Sequence, residues 1–222
     1  MRGFLAIILS LTGLSLFSQA NAAQIAPGAQ EQLAALLNKP AMVKPVGISP
    51  LGRNWFRMEI DTHVITDEAG FEQIAAVLFD VENSAQITHG KKGRLLASIV
   101  GREAGETVVD FVMIAFAPLG IHIKTPYRAS VKNTEKTGTK TIIEIRQLAS
   151  DNSSNKDIKN IFAVRYAEEI PLAGKKYTYI RIYSINDINA GILPGAKGIL
   201  ENNAAPSNIE ALELIIAAAK KR

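Results

Sequence analysis

The stretch Ile121-His122-Ile123-Lys124-Thr125-Pro126-Tyr127-Arg128-Ala129-Ser130-Val131-Lys132 decides the fold. Ile121, Ile123, Thr125, Tyr127, Ala129 and Val131 fall on one side of an extended chain. His122, Lys124, Arg128, Ser130 and Lys132 fall on the other. Side chains alternate across a strand with period two, so this pattern predicts a sheet with one face toward a core and one toward water. On both sides of it, beyond Gly93, the chain offers five or six extended runs in all. They are separated by turn chemistry at Glu103-Ala104-Gly105, Pro118-Leu119-Gly120, Lys136-Thr137-Gly138, Asp151 to Asn155 and Leu172-Ala173-Gly174. Consecutive strands joined by short turns form an antiparallel meander.

Upstream, Trp55 to Ile65 alternates in the same way, with Phe56, Met58, Ile60 and Val64 opposed to Arg57, Glu59, Asp61 and His63. Thr66 or Asp67 is positioned to cap a helix in which Phe71, Ile74, Ala75 and Leu78 recur at helical spacing up to Phe79. A second helical piece is expected from Val81 to Thr88, broken by His89-Gly90. Downstream, Ser207 and Glu210 form an S-x-x-E capping box after Pro206, and Ile209, Leu212, Ile215, Ile216 and Ala219 make the apolar stripe of a final helix. A sheet with one apolar face must be covered, and this helix carries the long stripe that can cover it. The fold class is α+β, with a sheet of about six or seven strands.

Three segments are expected. Residues 1–22 read as a cleavable secretory signal peptide: Arg2, an apolar run from Phe4 to Phe17 shorter than the ~20 residues of a membrane span, and Ala20-Asn21-Ala22 before the cleavage point. That places the remainder outside the inner membrane, in the periplasm if the organism has an outer one. Residues 23–53 form an N-terminal arm punctuated by Pro40, Pro45 and Pro50, with Leu33, Leu36, Leu37 and Val43 to lay across the domain. Residues 54–222 form the domain itself. The chain has no cysteine, so disulfides contribute nothing, and a core must hold the fold. The formal charge of +4 is spread over mixed-sign sequence, which does not suit nucleic acid. Lys220-Lys221-Arg222 suits the negative end of a helix dipole, with transient contact to anionic lipid headgroups as the minor reading. Composition leaves the oligomeric state open.

The order of elements resembles the START-like, or helix-grip, superfamily over residues 54–222. Three stretches carry the resemblance: Phe71 to Asn83, Tyr179-Ile180-Arg181-Ile182-Tyr183-Ser184-Ile185, and Leu193-Pro194-Gly195 leading to the helix from Ile209 to Ala219. The resemblance implies a curved antiparallel sheet gripping the long C-terminal helix around a cavity, as in lipid-transfer domains, polyketide cyclases and plant hormone-binding proteins. The aromatic residue often found shortly after the first-helix turn is replaced here by Ala85, Gln86 and Ile87.

No catalytic signature or cofactor motif stands out. His63, His89 and His122 have no metal-binding spacing and read as surface residues; there is no nucleophile elbow and no phosphate loop. Glu168-Glu169 are strand neighbours that point to opposite faces, an edge or loop feature. The candidate lining of a cavity is Phe111, Met113, Ile123, Tyr127 and Ile145, with Ile143. Arg181 between Tyr179 and Tyr183, and Arg165 beside Ile161 and Ala163, interrupt apolar faces. One reading makes these arginines a bidentate anchor for a lipid phosphate or carboxylate. The other turns Arg181 outward, with Ile180 and Ile182 supplying the inner face. The expected partner is a hydrophobic small molecule or lipid, exchanged through a lid at Ile188 to Asn203. Two alternatives stand beside it: a cyclase- or hydrolase-type enzyme using Asp110, Glu144 or Tyr127, and a structural or partner-binding envelope protein.

Overall fold

The computed structural model describes residues 35–52, 54–81, 83, 93–103, 106–116, 122–172, 174–189 and 196–222. The expected signal peptide, most of the Val81 to Thr88 helix and His89 lie outside them. Strands run over Ala41–Met42 (β1), Gly47–Gly52 (β2), Trp55–Thr66 (β3), Gly93–Glu103 (β4), Glu106–Phe116 (β5), His122–Lys136 (β6), Lys140–Gln147 (β7), Ile158–Leu172 (β8) and Lys175–Asn189 (β9). Helices run over Phe71–Phe79 (α1), Ala149–Ser154 (α2) and Ala196–Ala219 (α3). All nine described strands join one antiparallel sheet in the order β1-β3-β9-β8-β7-β6-β5-β4, and β2 also pairs with β3.

The sheet therefore has nine strands rather than six or seven. The meander from β4 to β9 and the strand β3 follow the alternation read from sequence. The two additional strands come from the arm, where β1 pairs Ala41 with His63 and β2 pairs Gly47 with Glu59 along the edge of β3. An edge strand needs partners on one side alone, so it tolerates Pro50 and shows no buried face to betray it in sequence. Positive φ angles at Gly52 (91°) and Asn54 (70°) turn β2 into β3, a conformation open to glycine and, next best, to asparagine.

Helix α1 starts later than Thr66 or Asp67 would place it. Its cap is Gly70, whose N–H donates to the Gln73 side-chain oxygen at 3.0 Å, while the Thr66 hydroxyl accepts from Glu68 N–H at 3.1 Å within the preceding turn. Helix α3 differs more. It begins at Ala196 and runs through Pro206, so the Ser207 capping box is not its start. A proline removes one N–H from the ladder. The carbonyl that it leaves without a partner is that of Asn202, an exposed residue, and the burial of Ala204 against the sheet offsets the loss. The segment expected to be a lid loop is accordingly the end of β9 at Ile188 and Asn189, the undescribed residues 190–195, and the first two turns of α3.

Two apolar clusters fix the helices on one face of the sheet. In the first, Leu212, Ile215, Ile216 and Ala219 of α3 pack with Phe71, Ile74 and Leu78 of α1 on Val64, Ile143, Ala167 and Ile180. Each fully buried aliphatic side chain there contributes about 1.5–3 kcal/mol. In the second, Ala204 packs with Met58, Ile60, Ile158, Ile161 and Ile188. The end of α3 is also tied by charge: Lys220 bridges Glu68 at 2.9 Å, and Arg222 pairs with Asp80. No described helix is long and apolar enough to cross a membrane.

Candidate functional site

The registry assigns every strand residue to a face. Val64, Ile180, Ala167 and Ile143 touch the helices, so the inner face of β9 is Ile180, Ile182, Ser184, Asn186 and Ile188, and that of β8 includes Ala163 and Arg165. Arg165 stands opposite Ile143 and Ile182, and Ala163 stands opposite Ile145 and Ser184. A third apolar cluster, Val109, Phe111, Ala129 and Ile145, lies on this face beside those two, with Ala163 and Tyr127 packed against it. Between them Ala163, Arg165, Ile182 and Ser184 are only half-buried, and so are Met113 and Tyr127 on the neighbouring strands. Arg165 and Tyr127 are half-buried on this face. These half-buried side chains form the middle of the wall that the sheet turns toward its helices.

Of the lining expected from sequence, Phe111 (2% exposed) and Ile145 are buried on this wall, with Met113 and Tyr127 beside them. Phe111 and Tyr127 stack with ring centroids 5.1 Å apart. Ile123 takes the register position opposite Ala115 in β6, and its side chain lies outside the described part. Burial pushes the Tyr127 phenol well above its ordinary pKa. Burial also lowers that of Arg165, which nearby Tyr127 partly counters. One of its donors is satisfied: Nη1 donates to the Leu78 carbonyl at 3.3 Å, near the C-terminal end of α1.

Tyr179 and Arg181 are not on this wall. Strand alternation with Ile180 and Ile182 inside puts both on the opposite, outer face, which corrects their assignment to the cavity. Nor do they snorkel in water. Arg181 (7% exposed) donates from Nε and Nη2 to both oxygens of Asp61, at 2.8 and 2.6 Å, and Asp61 is 2% exposed. That bond holds the Arg181 pKa above its ordinary value. Around the pair, Tyr179 packs edge-on against His63 and Tyr166, and the Tyr183 hydroxyl donates to Glu59 at 2.9 Å. Sequence could not show that Asp61 and Arg181 meet, since 120 residues separate them.

His63 is half-buried on this outer face rather than a free surface residue. Burial lowers its pKa, the Asp61 carboxylate partly opposes that, and the Arg181 cation adds a smaller lowering. A folded-state pKa below the unfolded value means that the unfolded chain binds more protons. His63 then contributes stability in full above about pH 6.5 and loses it as pH falls through its folded pKa. The thermal midpoint is expected to drop between pH 7.5 and 5.5, and in His63→Gln that drop is expected to be smaller, as read by scanning calorimetry at both pH values.

Among the described residues, Asp110 and Glu144 do not share a face with Tyr127. Asp110 is on the exterior, bound by Arg128 at 2.5 and 2.8 Å, a contact that holds its carboxyl below the ordinary range. Glu144 lies outside with Arg146 at 3.5 Å. Glu168 and Glu169 fall inside the sheet, in β8 between β7 and β9, and not at an edge. Glu168 accepts from the Tyr166 hydroxyl and Glu169 bridges Lys176 at 2.9 Å.

An antiparallel sheet with a long C-terminal helix laid across it is a helix-grip fold. Human StAR-related lipid transfer protein 5 superposes with a TM-score of 0.52 at 10% identity, over 87% of this chain and 93% of that one. Human STARD10 follows at 0.48 and 12%, over 89% and 81%. The di-domain aromatase/cyclase StfQ of steffimycin biosynthesis matches at 0.44 and 14%, over 75% of this chain and 52% of that one. No family model and no curated protein matches the sequence.

Proposed function

We propose that this protein is an exported carrier that binds one hydrophobic, lipid-like molecule in the hollow between its sheet and α3. The observation that supports the reading best is the half-buried stretch of the sheet's helix-covered face, where Ala163, Ile182, Met113 and Tyr127 keep accessible area at the margins of three apolar clusters. An apolar ligand placed there is desolvated at roughly 25 cal/mol per Å². The fold is shared with a protein named for lipid transfer, which fits the same role. Export rests on the leader read in residues 1–22. The intact mass of the protein recovered from the cell envelope reads that directly, as a chain shortened by those residues.

The reading is tested by titrating the full protein with a fluorescent long-chain fatty acid whose emission rises on leaving water. One saturable site per chain, competed by unlabelled lipids, is the expected result. Absence of saturable uptake of any apolar probe contradicts it.

A further inference from the structure

Where β6 turns into β7, an open cleft of about 350 Å³ separates that turn from α1. Its size is that of small-molecule clefts. Phe71 and Ala75 of α1 line it with apolar surface, and both are largely buried. Thr141 borders the same cleft but is fully buried, so polar contact falls to the groups on the rim. The rim carries two exposed charges: Glu72 on α1, and Lys136 beside Thr137 and Gly138 on the turn. The other lysines of this end of the sheet are engaged. Lys132, Lys140, Lys175, Lys176 and Lys220 each have a carboxylate at 3.4, 3.0, 3.8, 2.9 and 2.9 Å, respectively. Among the described residues, Glu72 has no cation within ion-pair distance and Lys136 no carboxylate, although both border one cleft. The Lys136 ammonium instead lies along α1, 5.4 Å from the centroid of the Phe79 ring. Phe79 is seven residues from Glu72, two turns and about 10 Å along the same side of the helix. The two charges therefore stand apart along the cleft and do not neutralise one another.

We propose that this cleft binds an apolar α-amino acid, its ammonium on Glu72, its carboxylate on Lys136 and its side chain against Phe71 and Ala75. One molecule that carries both charges answers both rim groups at once. A simple acid or a simple amine answers one and leaves the other facing it unpaired. The apolar lining selects among zwitterions, because a hydrocarbon side chain is desolvated there, and an aromatic one adds ring contact with Phe71. The site is separate from the hollow proposed between the sheet and α3: Ala163, Ile182, Met113 and Tyr127 do not line it. It does not depend on the carrier reading.

The test is titration of the full protein with L-phenylalanine, phenethylamine, 3-phenylpropionate and glycine, followed through backbone amide resonances by NMR. It is run on the natural chain and on Glu72→Gln, Lys136→Met and Ala163→Trp. L-phenylalanine is expected to give saturable shifts at residues 71–76 and 136–141, with an affinity about fivefold above that of each other compound. Glu72→Gln is expected to lower it to the level of 3-phenylpropionate, and Lys136→Met to that of phenethylamine. Both side chains are exposed, so neither change is expected to move the thermal midpoint by more than a few degrees. Ala163→Trp is expected to leave the binding of L-phenylalanine unchanged. Equal affinities for L-phenylalanine and its one-charge analogues, a preference that survives both rim substitutions, or no saturable shift at these residues overturns the assignment. So does loss of binding in folded Ala163→Trp. None of these results touches uptake of the fluorescent fatty acid, by which the carrier reading stands or falls.

Discussion

Asp61→Ala is expected to destabilise the protein by about 3–5 kcal/mol, the largest loss of any single change on the outer face. The reason is the charge left behind rather than the bond removed. Arg181 is 7% exposed and makes two hydrogen bonds, both to Asp61. Without Asp61 it stays a buried cation between β3 and β9, hemmed by Tyr179 and Tyr183. Domains of this size are stable by roughly 5–15 kcal/mol, so urea titration should show a midpoint well below that of the natural chain. The double variant Asp61→Leu with Arg181→Met removes both charges and is expected to recover most of the loss. If Asp61→Ala costs less than 1 kcal/mol, the pair is not the buried anchor described here. If the double variant is as unstable as the single, the cost came from packing and not from charge.

The second large effect concerns the hollow. Ala163 stands in the middle of the inner wall, between Ile145 and Ser184, and is half-buried where a packed core would leave no room. Ala163→Trp puts an indole into that space. In a hollow the ring takes the place of the ligand, so stability is expected to change by less than about 1 kcal/mol while affinity for the fluorescent fatty acid falls by at least about tenfold. In a solid core the same change forces neighbours off their rotamers and costs about 1–3 kcal/mol or more. The two measurements therefore separate a cavity from a filled interior by opposite patterns of stability and binding.

The alternation in 121–132 and 55–65 was enough to place β3 and β6 and to orient their faces, because period two is a direct consequence of backbone geometry. The helix stripe at Leu212, Ile215, Ile216 and Ala219 was legible for the same kind of reason, at period 3.6. What could not be read was anything that depends on the third dimension. The arm strands β1 and β2 exist because β3 offers an edge, and nothing in Gly47 to Gly52 announces it. Pro206 reads as a helix start, since its local cost is visible in sequence and the burial of Ala204 that offsets it is not. The arginines show the limit best: Arg165 and Arg181 both interrupt apolar patterns and look alike. Only the registry puts Arg165 on the wall of the hollow without a carboxylate and Arg181 on the far face with one.

The most direct test of the carrier reading is native mass spectrometry of the protein purified from its own cells without detergent, followed by extraction of whatever accompanies it. One apolar molecule per chain is expected, lost when Ala163 is replaced by tryptophan. A protein that flies empty, and stays empty after incubation with total lipid extract, contradicts it.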